Sequence, residues 1–244
     1  MLDHIRLDNL ICIDIETVPA FPGLAALPDE LKELYLKKSQ RLKLENENDE
    51  DQYFNHAGIY AEFGKVICIS LGRFRREKDG EVQLRIKSIF GDDEKVMLNQ
   101  FCDLLTLYEK KFRQVQFCGH NIREFDIPYL CRRMLVNLMM LPGCIDFSGK
   151  KPWEVNMIDT LQLWRFGDVK HYTSIKLLAL ILGIESPKND LEGKDVGKAY
   201  WHEKNLQRIV EYCQRDVITV AQLMLRFKNL PLLNKEQIII LNDQ

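Results

Sequence analysis

No stretch of this 244-residue chain approaches the roughly 20 consecutive apolar residues of a membrane helix, so a helical membrane span is not expected. The start, MLDHIRLDNL, lacks the basic segment and following apolar run of a secretory leader. Among seven cysteines there is no C-x-x-C pair, which removes the commonest zinc and redox spacings. Most of these cysteines lie in apolar runs, where a thiol behaves as a small hydrophobe, and a reducing cytoplasmic setting is the expectation. An excess of one charge is also missing: 34 basic against 36 acidic residues leave a formal charge of -2. That balance provides no basic footprint for nucleic acid. It does not exclude nucleic-acid chemistry, because a carboxylate cluster acquires its positive charge as metal ions. There are no internal repeats. What remains, 46% apolar and 29% charged residues, is the composition of an ordinary globular domain with a sizeable core.

The apolar run Asn9 to Ile15 (NLICIDI) reads as a buried strand ending in acids, with Pro19, Pro22 and Gly23 beyond it as stops. Residues 29–44 follow a helical pattern with a basic face of Lys37, Lys38, Arg41 and Lys43, and the acidic run ENENDED (45–51) is expected as loop or disordered chain. These segments form a helical and acidic insertion at about residues 24–60. Lys65 to Phe74 and Glu81 to Phe90 read as an antiparallel hairpin turned at Asp79-Gly80. Asp92 or Asp93 caps a helix with Met97, Phe101, Leu104, Leu105, Tyr108 and Phe112 on its apolar face. A strand over 114–119 leads to a helix over about 127–140. Ser174 opens another helix that Gly183 closes, and a long helix runs from about Glu203 to Lys228. This order of elements predicts one α/β domain over 1–244, a mixed sheet flanked by helices.

Three segments carry chemistry-bearing residues. Asp14 and Glu16 lie two apart in a strand, hence on one face and about 6.6 Å apart along the chain, close enough to share a cation. In NIREFD, Asp126 stands at a strand-to-helix junction, where it is either an N-cap or a site carboxylate, and Asn121 is either a turn residue or a ligand contact. In YCQRDV, Tyr212 and Asp216 are four apart on a helix and face the same way, as a site pair or as the margin of an amphipathic helix with Asp216 paired to Arg215 or Arg208.

Taken in order, Asp14-Ile15-Glu16, Asn121 to Phe125-Asp126 and Tyr212 to Asp216 resemble the D-x-E, N-x(2-3)-[FY]-D and Y-x(3)-D motifs of the DEDD exonuclease superfamily, which has a ribonuclease-H-like fold. Tyrosine four before the last aspartate, with Glu211 where the histidine subclass has its histidine, resembles the tyrosine subclass. The segments AEFGKVICISLGRF, CGHNIREFDIPYLCRRM, DTLQLW and IVEYCQRDV narrow the likeness, over about residues 9–227. They resemble the predicted stand-alone 3′-to-5′ exonucleases related to family B DNA polymerase proofreading domains.

The resemblance implies two divalent ions, Mg²⁺ or Mn²⁺, since oxygen-only ligands select such hard cations. Asp14, Glu16 and Asp216 would hold the first, Asp14 would bridge to the second, and Asp126 would act on the second directly or through water. Tyr212, with an ordinary pKa of about 10, would orient the attacking water instead of acting as base. Ile15, Thr17, Asn121 and Phe125 would support the terminal nucleotide. The implied substrate is the 3′ end of a nucleic acid, single-stranded DNA first, and the product a 5′-mononucleotide. A ribonuclease D-like exoribonuclease would use the same residues, and a non-catalytic nucleic-acid-binding module on the same fold remains the reading of another class. His120 reads as a structural hydrogen-bonder, with His171, Asp159 and Asp190 as outlying candidates. Lys37, Lys38, Arg41, Arg73, Arg75, Arg76, Arg132, Arg133, Lys150 and Lys151 are candidate phosphate contacts, and Phe21, Tyr53, Phe54, Trp153 and Trp164 candidate stacking partners.

Overall fold

β1 (Leu10–Pro19) is the strand around which the sheet is organised in the computed structural model, which describes residues 2–40, 47–111, 115–168, 170–185 and 191–241. On one side β1 pairs antiparallel with β2 (Gly64–Arg76), which pairs antiparallel with β3 (Val82–Phe90). On its other side it pairs parallel with β4 (Gln116–Gly119), and β4 with β5 (Met157–Asp159). A sixth strand, β6 (Ile238–Leu241), lies parallel to β3, giving the order β5-β4-β1-β2-β3-β6. The β2–β3 connection is the expected hairpin: Gly80 takes φ 91°, a left-handed conformation that suits glycine, and Glu77 N–H closes onto Glu81 O at 2.8 Å.

Both faces of this α/β sheet are covered. Odd residues of β1 (Ile11, Ile13, Ile15) share a core with Met97, Phe101 and Leu105 of α3 (Glu94–Lys111) and with Ile127, Leu130 and Met134 of α4 (Asp126–Val136). Even residues Leu10 and Cys12 face Val217, Val220, Ala221 and Met224 of α8 (Leu206–Phe227). Gly72 of β2 lets α8 approach: a Cβ there would stand 2.6 Å from Val217 Cγ1. The period of two places Asp14 and Glu16 on the α8 face.

β1 continues four residues beyond the end expected at Ile15. The parallel partner β4 pairs only as far as Cys12–Cys118, whereas antiparallel pairing with β2 persists to Pro19–Gly64. The acids therefore lie inside a strand, just past the point where its parallel neighbour leaves. A register shift between Glu16 and Thr17, with Ile67 as the extra residue on β2, re-aims the chain there.

α1 (Asp29–Ser39) and α2 (Asp49–His56) occupy the insertion and share a small core of Leu24, Leu27, Tyr35, Tyr53, Ala57 and Phe63. Asp49, Glu50 and Asp51 are not loop but the first turn of α2. Asn48 caps them by accepting from Asp51 N–H, and acids at a helix N-terminus meet the positive end of its dipole. Arg41, Lys43, Glu45, Phe112, Gln114 and Asp190 lie outside the described residues. α4 stops at Val136, short of the expected 140, because Asn137 ends it and Leu138 turns to φ 56°. Asp93, not Asp92, caps α3 by accepting from Val96 N–H. α6 (Ile175–Ile181) follows α5 (Thr160–Arg165), and α7 (Val196–Trp201) precedes α8. β5, β6, α5 and α7 are too short for their periodicity to show in the sequence.

Candidate active site

Three elements bring the acidic side chains together. The bonding oxygens of Asp14 and Glu16 on β1 and the sulfur of Cys213 on α8 all lie within 4.8 Å of one another. Cys213 Sγ–H donates to the Asp14 carbonyl at 3.3 Å, which fixes the helix against the strand at this level. One helical residue before Cys213 is Tyr212, and three after it is Asp216, to whose carboxylate the Tyr212 hydroxyl donates. Arg208 pairs with Glu203 at 2.8 Å.

Asp126 arrives from the opposite side, at the first residue of α4. It is 3% exposed, and its carboxylate accepts from the Ile15 backbone N–H, so the second motif is joined to β1 between the two acids of the first. The turn leading to it is held from β5. Asp159 Oδ1 accepts from Asn121 N–H at 3.0 Å and from Leu161 N–H at 2.9 Å, and Oδ2 accepts from Arg123 N–H at 3.2 Å. Asp159 is thus a buried anchor of the turn, not an outlying group. Asn121 itself is held at φ 67°, and its Oδ1 is buried without a hydrogen-bond partner among the described residues. A strained polar residue with an unused acceptor is a feature of ligand-binding turns.

The electrostatics follow from this convergence. Burial first, then the charges of Asp216 and Asp126, push the Asp14 carboxyl well above the usual range. Burial, Asp14 and Asp216 do the same to Glu16. Asp126 is pushed up to about 7, burial outweighing its backbone hydrogen bonds. Asp216 rises to about 6 by burial, against the opposing effects of the Tyr212 hydroxyl and Arg215. Burial and the same carboxylates raise Tyr212, which stays protonated across the physiological range. Asp14 Oδ2 is buried and no donor reaches it among the described residues. An ionised carboxylate in that state is costly unless a cation supplies what the protein does not. The donor set therefore fits hard divalent ions.

Beside Glu16 opens a cavity of about 230 Å³, lined by Ile15, Thr17 and Phe125 together with Phe54, Asn55 and Gly58 of the insertion and Gly193 and Gly197 ahead of α8. The insertion is held to α4 and β1 here: Tyr129 of α4 donates to Gly58 O at 2.8 Å, and Gly58 lies so near the Val18 backbone of β1 that a Cβ would stand 3.1 Å from it. A larger apolar cavity of about 480 Å³ beside α4 contains none of the four carboxylates.

Several outlying assignments change. Arg133 is buried, donating to both oxygens of Glu94 and to Ala61 O, so it is unavailable to phosphate. Tyr53 is fully buried and Trp164 packs into a core cluster, while one face of Phe54 is stacked on His202 at 4.8 Å. His120 is the structural hydrogen-bonder expected, linking Thr160 and Thr173.

No curated protein matches the chain. Among solved structures it is similar to the family B DNA polymerase of the hyperthermophilic archaeon Pyrobaculum calidifontis, at 14% identity and a TM-score of 0.49. That likeness covers 89% of this chain and 24% of the polymerase chain, so this chain spans about a quarter of that protein. A family model described as a predicted 3′–5′ exonuclease related to the exonuclease domain of PolB matches residues 59–232, which include Asp126, Tyr212 and Asp216 and begin after β1. With most of its length matched by that model, the chain belongs to the family of predicted 3′–5′ exonucleases related to the PolB exonuclease domain.

Proposed function

We propose that residues 1–244 act as one exonuclease domain of the tyrosine subclass. It would hydrolyse phosphodiester bonds at 3′ ends of single-stranded DNA and release 5′-mononucleotides. Asp14, Glu16, Asp126 and Asp216 would hold two Mg²⁺ or Mn²⁺ ions. The observation that carries this reading is a set of carboxylates, Glu16 and Asp126 buried and Asp14 and Asp216 half-buried, that crowd one another, one of them with a buried oxygen that no donor reaches among the described residues. Bound divalent ions would supply Lewis-acid stabilisation of the attacking water and of the leaving 3′ oxygen.

The chain's own residues do the rest. Tyr212 keeps its proton and is oriented by Asp216, so its role is to point the attacking water in line with the scissile bond, not to take a proton from it. The cavity along Ile15, Thr17 and Phe125 receives the terminal nucleoside, and the unused Asn121 Oδ1 offers it an acceptor. The DNA preference is supported by the family's relation to a DNA polymerase domain. The test is a ladder assay on 5′-labelled DNA and RNA of matched sequence, with Mg²⁺, Mn²⁺ or EDTA. Stepwise shortening of DNA from its 3′ end, abolished by EDTA, is expected. Shortening confined to RNA overturns the substrate, and no shortening of either overturns the enzyme in favour of a binding module.

A further inference from the structure

Between α5 and α6, Tyr172 stands 65% exposed on a strap whose residues 170–174 form neither helix nor strand. The strap is tied on both sides of that residue. Arg165 Nε donates to His171 O at 3.2 Å, and His120 Nε2 lies 2.8 Å from Thr173 O. A carbonyl only accepts, so Nε2 carries the His120 proton, while Nδ1 lies 2.9 Å from Thr160 Oγ1. His120 directly precedes Asn121, so the strap is fastened to the same turn that leads to Asp126. The Tyr172 ring meets the His120 ring edge-on, centroids 6.2 Å apart at 69°, which leaves most of the ring to solvent. Burial first, and then the charges of Asp126, Asp159 and Asp216, raise the pKa of its hydroxyl.

A lone exposed tyrosine is unremarkable in itself. This one is fixed at two flanking points, and through His120 its strap is fastened to the turn that carries Asn121 and leads to Asp126. An aromatic face fixed beside a backbone-binding site suits a nucleobase, because every base has a π face to stack whatever its sequence. We propose that Tyr172 is a stacking platform for a base of the single strand adjoining the scissile phosphodiester, with His120 as the residue that positions it. The proposal rests on the exonuclease reading for the identity of the ligand.

The experiment measures binding of 5′-labelled oligodeoxynucleotides by fluorescence anisotropy in Ca²⁺, with hydrolysis followed separately in Mg²⁺ and Mn²⁺. Tyr172→Ala is expected to weaken binding about fivefold to a hundredfold and to raise KM with little change in kcat, whereas Tyr172→Phe and Tyr172→Trp bind as the unchanged protein does. An oligonucleotide with abasic sites near its 3′ end should bind the unchanged protein and Tyr172→Ala alike. His120→Ala should weaken binding only where Tyr172 is present. Equal weakening by Tyr172→Ala and Tyr172→Phe, no weakening by Tyr172→Ala, or abasic discrimination that survives in Tyr172→Ala would each overturn the proposal. Tyr172-dependent binding without hydrolysis overturns the exonuclease reading alone; absence of binding by the unchanged protein overturns both.

Discussion

Asp14 and Asp216 lie half-buried in the same cluster, and each raises the cost of ionising its neighbours. Replacing either by asparagine removes a charge while keeping the shape. Asp14→Asn and Asp216→Asn are expected to lower kcat on a 3′-end substrate by about a hundredfold to a thousandfold, the range seen when one preorganised electrostatic contact is lost. The same substitutions should leave the metal-free protein's Tm unchanged or raise it by a few degrees, because less like charge is buried. Calorimetry in EDTA beside the ladder assay checks both halves, and a fall in Tm would mean that these carboxylates are structural. Tyr212→Phe keeps the ring and removes the hydroxyl that Asp216 orients. Its kcat should fall by up to about a hundredfold with KM nearly constant, as steady-state kinetics would read, because the loss is one of alignment and not of binding.

At the scale of elements, the site depends on how β5 and the β4–α4 turn are joined. Asp159 accepts two backbone N–H groups of that turn, and its replacement by alanine leaves buried donors without partners. Asp159→Ala is expected to cost about 2 to 3 kcal/mol in urea unfolding and to reduce activity through displacement of Asp126, with Asp159→Asn retaining part of both. The sequence offered little warning of this anchor. The residues Met157–Asp159 form a three-residue strand, too short for an alternation of apolar and polar positions to show, and an aspartate before Thr-Leu reads as a helix cap, which it also is. By contrast, α8 was readable from its apolar spacing, and the β2–β3 hairpin from its Asp-Gly turn. The sequence pattern ends β1 at Ile15 because the last residues of the strand are held by pairing with β2, a long-range interaction that local pattern does not encode.

The whole molecule should report its carboxylate cluster through pH. Asp14, Glu16, Asp126 and Asp216 have folded pKa values above those of the unfolded chain, so between about pH 4 and 7 the folded state binds more protons. Stability then falls as pH rises through that window. His120 acts in the opposite sense, since burial lowers its pKa, but it is one group against four. The lowered pKa values of Glu33, Asp146 and Glu192 act below this window. The metal-free protein is therefore expected to melt at a higher temperature at pH 5 than at pH 8. Saturating Mn²⁺ should narrow that difference by replacing protons as the counter-charge. A thermal melt series in EDTA and in Mn²⁺ tests this, and a Tm that rises steadily with pH in EDTA would contradict it.

By itself the sequence determined the α/β class, the hairpin, the long helices and three acid-bearing segments, because each is a local pattern of period, turn and spacing. It also carried the resemblance that joined those segments, though none of them alone distinguished a site from a cap, a turn or a surface pair. Only the tertiary structure decided that β1 runs past its acids, that Asp126 closes onto the Ile15 amide, that Asp159 holds the turn, and that the strap carrying Tyr172 is fastened to His120. Those outcomes depend on which buried polar groups find partners across the fold, and that is settled by packing between residues far apart in the chain.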